Sequence, residues 1–398
     1  MKRDKNAPNV PTLRFPNYSG EWKISPMGQV CTFRKGYGIS KENLSSDGTL
    51  CILYGELYTT YKTAIAKTIK SKTSLDPTTL FHSKKNDVII PCSGETAEDI
   101  ATSVCIPYDD VLLGGDLTVI RSELDGAFLS NQINSVRKYD IARVAQGKSI
   151  VHLQADELKK IIIAYPSKEE QQKIACFIDK LDDRIECQNK IISKYETLIK
   201  GLYTQIQSKS AKKEYRICDI VKCHSVGLLS KENLIESGSK KCILYGELFT
   251  TYDEVINEIK SRTNVDGYIS QGNEILFPSS TTVDAMSLIA PSALNEKGIL
   301  LGGDMFVLEL LPGFNNEYIS YYLNLIAKRN LAKYAQGTTI THLYFEHIKN
   351  ILLYLPDFSI QISIASKMRK LKTKIQIEKE MLSALQKQKA FLLQSMFI

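Results

Sequence analysis

The sequence predicts a mixed α/β (α+β) protein built by tandem duplication: two globular domains separated by two long helices that form an antiparallel coiled coil. Three observations predict it. The phrase CILYGELYTTY at residues 51–61 returns as CILYGELFTTY at 242–252, with a single change between Tyr58 and Phe249. Further marks recur in the same order along the chain. Each copy then ends in a long stretch whose apolar residues step by four and three.

The duplication runs through the whole chain. EWKI at 21–24 matches EYRI at 214–217, and SKEN at 40–43 recurs at 230–233. LLGGD at 112–116 recurs at 300–304, and AQGKSIVHL at 145–153 recurs as AQGTTITHL at 335–343. A period this long means duplicated domains, not a solenoid of short units. With 398 residues, several domains are expected in any case. The divisions are an N-terminal arm (1–20), a first globular domain (21–166), a central helix (167–208), a second globular domain (209–356) and a C-terminal helix (357–398).

Within each copy, DVIIP and EILFP read as strands ending before Pro91 and Pro278. LLGGDLTVI and LLGGDMFVL read as strand, Gly-Gly turn, strand. A helix is expected over Glu317–Lys333. After Pro166 the chain runs to residue 208 without proline. Its seam is Ile174, Ile178, Leu181, Ile185, Ile192, Ile199 and Leu202, a heptad pattern interrupted at Gln188. The second seam is Ile364, Met368, Leu371, Ile375, Leu382, Leu385 and Leu392, with Glu378 at the rung of Gln188. About 35–40 helical residues give a rod of about 50–60 Å. Antiparallel pairing of the two seams and self-association between molecules both satisfy this pattern.

Composition excludes several classes. Apolar residues are 43% and charged residues 24%, the balance of a globular chain. No run approaches the length of a membrane span, and the basic N-terminus has no apolar stretch behind it, so a cytoplasmic protein with no membrane partner is expected. The nine cysteines include no C-x-x-C pair and read as small buried apolar residues, with no metal site. Gly147-Lys148-Ser149 lacks the upstream glycine of a phosphate loop, since Ala142 stands there. Methyltransferase, dinucleotide and metalloprotease motifs are missing too, and His152 and His342 have no adjacent nucleophile or carboxylate. No catalytic site is expected in this chain.

A net charge of +7 suits a polyanionic partner without proving one. Two copies of one domain suggest two binding events on an extended ligand such as duplex DNA. Hydroxyls and amides position on phosphates, and varied neighbours read base edges. Three surfaces are candidates for DNA contact. The repeated phrase offers Tyr54, Thr59, Thr60, Tyr61 and Lys62, and Tyr245, Thr250, Thr251 and Tyr252. The loops after the proline-ended strands offer Ser93 and Thr96, and Ser280, Thr281 and Thr282. The glycine segment offers Lys148 and Ser149, and Thr338 and Thr339. Stretches 62–90 and 253–277 differ, so the two copies are expected to read unequal half-sites. A coiled-coil scaffold that never touches DNA is the alternative.

On these motifs the chain resembles the DNA specificity subunit of Type I restriction-modification enzymes. The resemblance rests on PTLRFPNYSGEWKISPMGQV at 11–30, the repeated phrase, and the two junctions at 145–185 and 335–375. In each junction a glycine turn leads through an amphipathic stretch to proline and a long helix. The second copy departs, with SIQISIA where the first has EEQQKIA, so its helix start is expected to be less well capped. The resemblance implies two target recognition domains, each reading half of a bipartite, asymmetric sequence. It implies that the two helices act as a ruler between them. It also implies binding to two modification subunits and to restriction (translocase/nuclease) subunits. S-adenosylmethionine, ATP and Mg2+ would belong to those partners, with no cofactor in this chain.

Overall fold

A computed structural model describes residues 9–147, 150–209, 212–227 and 229–398. The chain divides into two compact units, 1–190 with 379–398, and 191–378. Each unit therefore holds one globular domain together with a length of both long helices.

In the first unit, one antiparallel sheet orders its strands Cys31–Lys35, Leu117–Ser122, Asp87–Pro91 and Val104–Ile106. A second sheet orders Leu44–Ser45, Ser71–Thr73, Thr49–Ile52 and Leu112–Leu113, the last pair parallel. Two short ribbons complete the domain. Lys23–Pro26 pairs with Ile162–Tyr165 and closes its two ends, and Ser93–Gly94 pairs with Val151–His152. Strand Asp87–Pro91 is buried along its whole length, as the apolar run after Asp87 requires, and Asp87 itself is paired with Arg121. It includes the proline as its last residue, where a missing N–H removes no internal ladder bond.

The second unit repeats this plan. Its sheets order Val221–Ser225, Met305–Leu310, Glu274–Pro278, Ser292–Leu294, and Ser261–Thr263, Lys240–Leu244, Leu300–Gly302, Tyr268–Ile269. Ribbons Lys213–Arg216 with Leu352–Leu355, and Ser280–Thr281 with Thr341–His342, match those of the first. The Gly-Gly segments are not hairpin turns: they carry the chain from one sheet to the other. Close approach demands glycine there, since a Cβ on Gly302 would lie 2.5 Å from Leu229 Cβ. The helix expected over Glu317–Lys333 is interrupted. Helix Asn316–Tyr322 passes through a π turn at Leu323–Ala327 before Lys328–Ala332.

The long helices span Lys168–Lys209 and Phe358–Ser395. In the first unit Ile174, Ile178, Leu181, Leu385 and Leu392 are buried in one cluster, with Ile185 packed against it. Trp22, Phe128 and Phe397 join this cluster, with Phe128 and Phe397 centroids 5.1 Å apart. Leu13 N–H donates to Ser395 O while the neighbouring Arg14 pairs with Glu170, so the end of one helix lies by the start of the other. Asp182 and Lys389 pair further along, and the helices run antiparallel. In the second unit Ile192, Ile199, Ile364, Met368 and Ile375 are buried, while Leu202 and Leu371 are half-buried, as is Leu382 in the first unit. Burying each aliphatic side chain stabilises by about 1.5–3 kcal/mol. The buried face is wider than a two-position seam, for Ala175, Tyr203 and Ala365 are also buried.

Both helix starts use one device. Gln171 Oε1 accepts from Asp125 N–H while its Nε2 donates to Pro166 O, at 2.8 and 2.9 Å. Gln361 accepts from Asn315 N–H and donates to Pro356 O, at 3.0 and 2.8 Å. The first start adds Ser167 Oγ accepting from Glu170 N–H at 3.4 Å and the acidic Glu169 and Glu170 in its first turn. The second has no acidic residue there, so it is the less well capped of the two, as SIQISIA leads one to expect. All nine cysteines are free. Cys31, Cys51, Cys105 and Cys242 are buried, whereas Cys176 and Cys187 are exposed on the helix and do not serve as core residues.

Candidate nucleic-acid interface

The repeated phrase is first of all a scaffold. After strand Thr49–Ile52 the chain makes one helical turn, Glu56–Thr59, and Leu57 is fully buried beneath it. The first N–H groups of such a turn lack intrahelical partners. Glu56 accepts from Leu53 N–H at 2.8 Å and from Ser71 hydroxyl at 2.7 Å. Glu247 accepts from Leu244 N–H at 2.8 Å and Ser261 hydroxyl at 2.6 Å. Thr73 and Thr263 donate to the carbonyls of Asn43 and Asn233, both at 2.7 Å. The stretches 62–90 and 253–277, unlike as they are, therefore still share part of this framework. SKT at 71–73 and SRT at 261–263 are a shared strand, obscured by its shortness.

The phrase divides between two faces. Tyr54, Tyr58 and Thr59 line a cleft with Ser40, Lys41, Glu95 and Asp116. Thr60 and Lys62 line a different cleft, facing the helices. Tyr61 belongs to the core beside Leu57 and Ile69, so the expectation that it contacts DNA is corrected by burial. Burial, with Glu56 nearby, raises its hydroxyl pKa. Tyr245 and Tyr252 likewise pack against the second core. Thr250 and Thr251 are exposed, although Thr250 donates to Gly246 O at 3.2 Å as Thr59 does to Gly55 O at 2.7 Å.

The second glycine segment forms a tight exposed turn beside the loop after the proline-ended strand. Gln336 and His342 exchange backbone hydrogen bonds of 2.9 and 2.7 Å, as do Gln146 and His152. Gly337 has φ +118°, and a Cβ there would meet Ile340 O at 2.0 Å. Thr338 and Thr339 are exposed at the tip. Lys148 and Ser149 lie outside the described residues. Ser93 is buried with its hydroxyl 3.2 Å from His152 Nδ1, and Thr96 caps helix Ala97–Ile100 by accepting from Asp99 N–H at 3.1 Å. Ser280 is buried, Thr281 half-buried in its strand, and Thr282 exposed.

Residues absent from the sequence expectation complete these surfaces. In the first unit a cleft holds Arg34, Lys35, Ser93, Thr118, His152 and Lys159, and Asp116 joins it to the cleft of Tyr54. Strand register places Phe306 where the first copy has Thr118, and helix Phe345–Ile348 starts where the first copy has Ala155. There Phe306 stacks on Phe277 with centroids 4.9 Å apart and faces Phe345. His224 takes the place of Arg34 and is bonded to Glu309 at 2.7 Å. The second copy instead exposes Val283, Met286 and Tyr344 around its turn, while Ile340 is exposed as Ile150 is in the first. Tyr344 stacks on His342, centroids 5.9 Å apart. One surface is basic and grooved, the other apolar and aromatic. The repeat held the signal: positions flanked by shared marks but differing in charge or ring content.

The family model for the Type I restriction modification DNA specificity domain matches residues 19–197 and again 209–387, so this chain belongs to that family, in two copies. Its role is DNA specificity, without a catalytic part, and the family assembles with the other restriction-modification subunits and with DNA. The fold is similar to the S subunit of a Type-I restriction-modification system from M. genitalium. That match has 17% identity, covers 98% of this chain and 99% of that chain, and has a TM-score of 0.65. A second similar structure concerns complex assembly and conformational transition of the type I R-M system. It has 13% identity, covers 94% of this chain and 96% of that chain, and has a TM-score of 0.56. No helix among the described residues is long and apolar enough to cross a membrane, and no group of His, Cys, Asp or Glu there could hold a metal ion.

Proposed function

We propose that this chain reads a bipartite, asymmetric DNA sequence, one half-site per recognition domain. The observation that supports this reading most is the pairing of one hydrogen-bonded framework with two unlike surfaces. Glu56 and Glu247 hold the same loop, whereas Arg34, Lys35 and Thr118 of the first copy are replaced by His224, Ser225 and Phe306 at the matching positions of the second. Basic residues around a groove suit phosphate contact, and exposed apolar and aromatic groups suit contact with thymine methyls and base edges. The working complex contains two modification subunits and restriction subunits in the cytoplasm. Those partners supply S-adenosylmethionine for adenine methylation, and ATP with Mg2+ for translocation and cleavage.

The test is a genome-wide map of N6-methyladenine in cells carrying the chain with its modification partner, against cells lacking the chain. One bipartite motif, methylated only when the chain is present, is expected. An assembled, active complex with no chain-dependent motif would leave the scaffold reading in its place.

A further inference from the structure

Each recognition domain is fastened to its long helix by ion pairs, and the polarity of these pairs is reversed between copies. In the first unit the cation is on the domain: Lys67 pairs with Asp179 at 2.7 Å and with Asp183, both on the central helix. In the second unit the anions are on the domain. Glu254 pairs with Lys372 at 2.6 Å, and Glu317 with Arg369, whose Nε donates at 3.2 Å.

Backbone geometry makes the positions equivalent. Ala66 N–H donates to Cys105 O and Cys105 N–H to Ala64 O, while Ile256 N–H donates to Ala293 O and Ala293 N–H to Glu254 O. Glu254 therefore stands where the first copy has Ala64, and Lys67 where the second has Asn257. Helix caps Asp125 and Asn315 align, so Glu317 stands at the place of Ala127. The matched Gln171 and Gln361 set the helix register, which aligns Arg369 with Asp179, Lys372 with Asp182 and Thr373 with Asp183. One helix face offers Asp179 and Asp183 to a domain bearing Lys67, with Asp182 beside them already paired to Lys389 of the other helix. The other offers two cations to a domain bearing two carboxylates.

We infer that this reversal is a matching code between domain and helix, which admits each recognition domain to its own helix and rejects the other. Exchange would set Glu254 and Glu317, whose side chains are 16% and 5% exposed, opposite Asp182 and Asp179, at 7% and 26%. Half-buried like charges repel far more than solvated ones, so rejection outweighs the modest gain of each matched pair. Within its own domain Glu254 also lies near Lys328, which the exchange would leave unchanged. The shared framework gives the two domains one fold, and the reversed charges distinguish their seats alongside the ring packing, Phe128 on Phe397 in the first unit and Tyr318 on Tyr203 in the second.

The test uses the full chain and urea unfolding of the first unit. Lys67→Glu should lower its folding constant about tenfold more than the neutral Lys67→Met. Adding Asp179→Arg with Asp183→Thr, the residues of the second helix, should restore the Lys67→Glu chain to within about threefold of the original. In 1 M salt the excess cost of Lys67→Glu should shrink severalfold. Equal effects of the Glu and Met variants, or no rescue by the helix substitutions, would overturn the code. A chain carrying the second domain in both positions gives the independent check. It should fold at least tenfold less favourably with the native central helix than with Asp179→Arg, Asp182→Lys and Lys389→Ile together, and equality would again overturn it.

Discussion

Individual residues divide sharply into framework and surface. Glu56 joins a backbone N–H and Ser71 in one loop, so Glu56→Ala leaves two donors without their acceptor. It should cost about 1–3 kcal/mol in urea unfolding, whereas Thr59→Ser, which keeps the hydroxyl bond, should cost almost nothing. The thiols report the same division. Burial pushes Cys31 and Cys51 up to about 11 and Cys105 up to about 12. At pH 8 these three should react with a thiol reagent only when the chain unfolds, while the exposed Cys176 and Cys187 react at once. On the surface, Lys159→Ala should reduce the slope of log affinity against log salt by about one if that ammonium neutralises a phosphate. An unchanged slope would remove the basic cleft from the DNA contact.

Elements show what was legible in the sequence and what was not. The long helices were legible because their apolar period persists over many turns, and the proline-ended strands because their apolar runs are short and bounded. The Gly-Gly segments were legible as strand, turn, strand, but not which sheet each strand joins, since a glycine pair signals tight backbone approach whether the chain turns back or crosses to another sheet. Ser71–Thr73 and Ser261–Thr263 escaped because three residues carry no periodicity. Tyr61 was misread because an aromatic ring looks alike in a core and on a reading surface. The helix pair also carries a polar tie. Asp182, raised chiefly by burial against the pull of Lys389, sits in the buried helix contact of the first unit. Lys389→Met should destabilise that unit by about 2–4 kcal/mol, and adding Asp182→Leu should recover most of the loss. Failure to recover would show that the pair does more than neutralise itself.

At the scale of the molecule, duplication explains why one phrase appears twice and why its neighbours do not. The framework must recur for the second domain to fold as the first does; the surfaces are free to diverge because they support nothing beneath them. Reversed ion pairs then give each domain its own seat on otherwise similar helices. The function follows from this division of labour. Two readers of one design can recognise unlike half-sites, while catalysis rests with partner subunits.

The most direct test alters one surface alone. Tyr344→Gln with Val283→Glu places the polar character of the first domain on the second, leaving both frameworks intact. N6-methyladenine would be mapped with this variant and with the original chain, each assembled with the modification partner. The account predicts that one half of the bipartite motif changes or relaxes and the other half stays as it was. Simultaneous change in both halves, or none in either with methylation undiminished, would contradict the claim that each domain reads its own half.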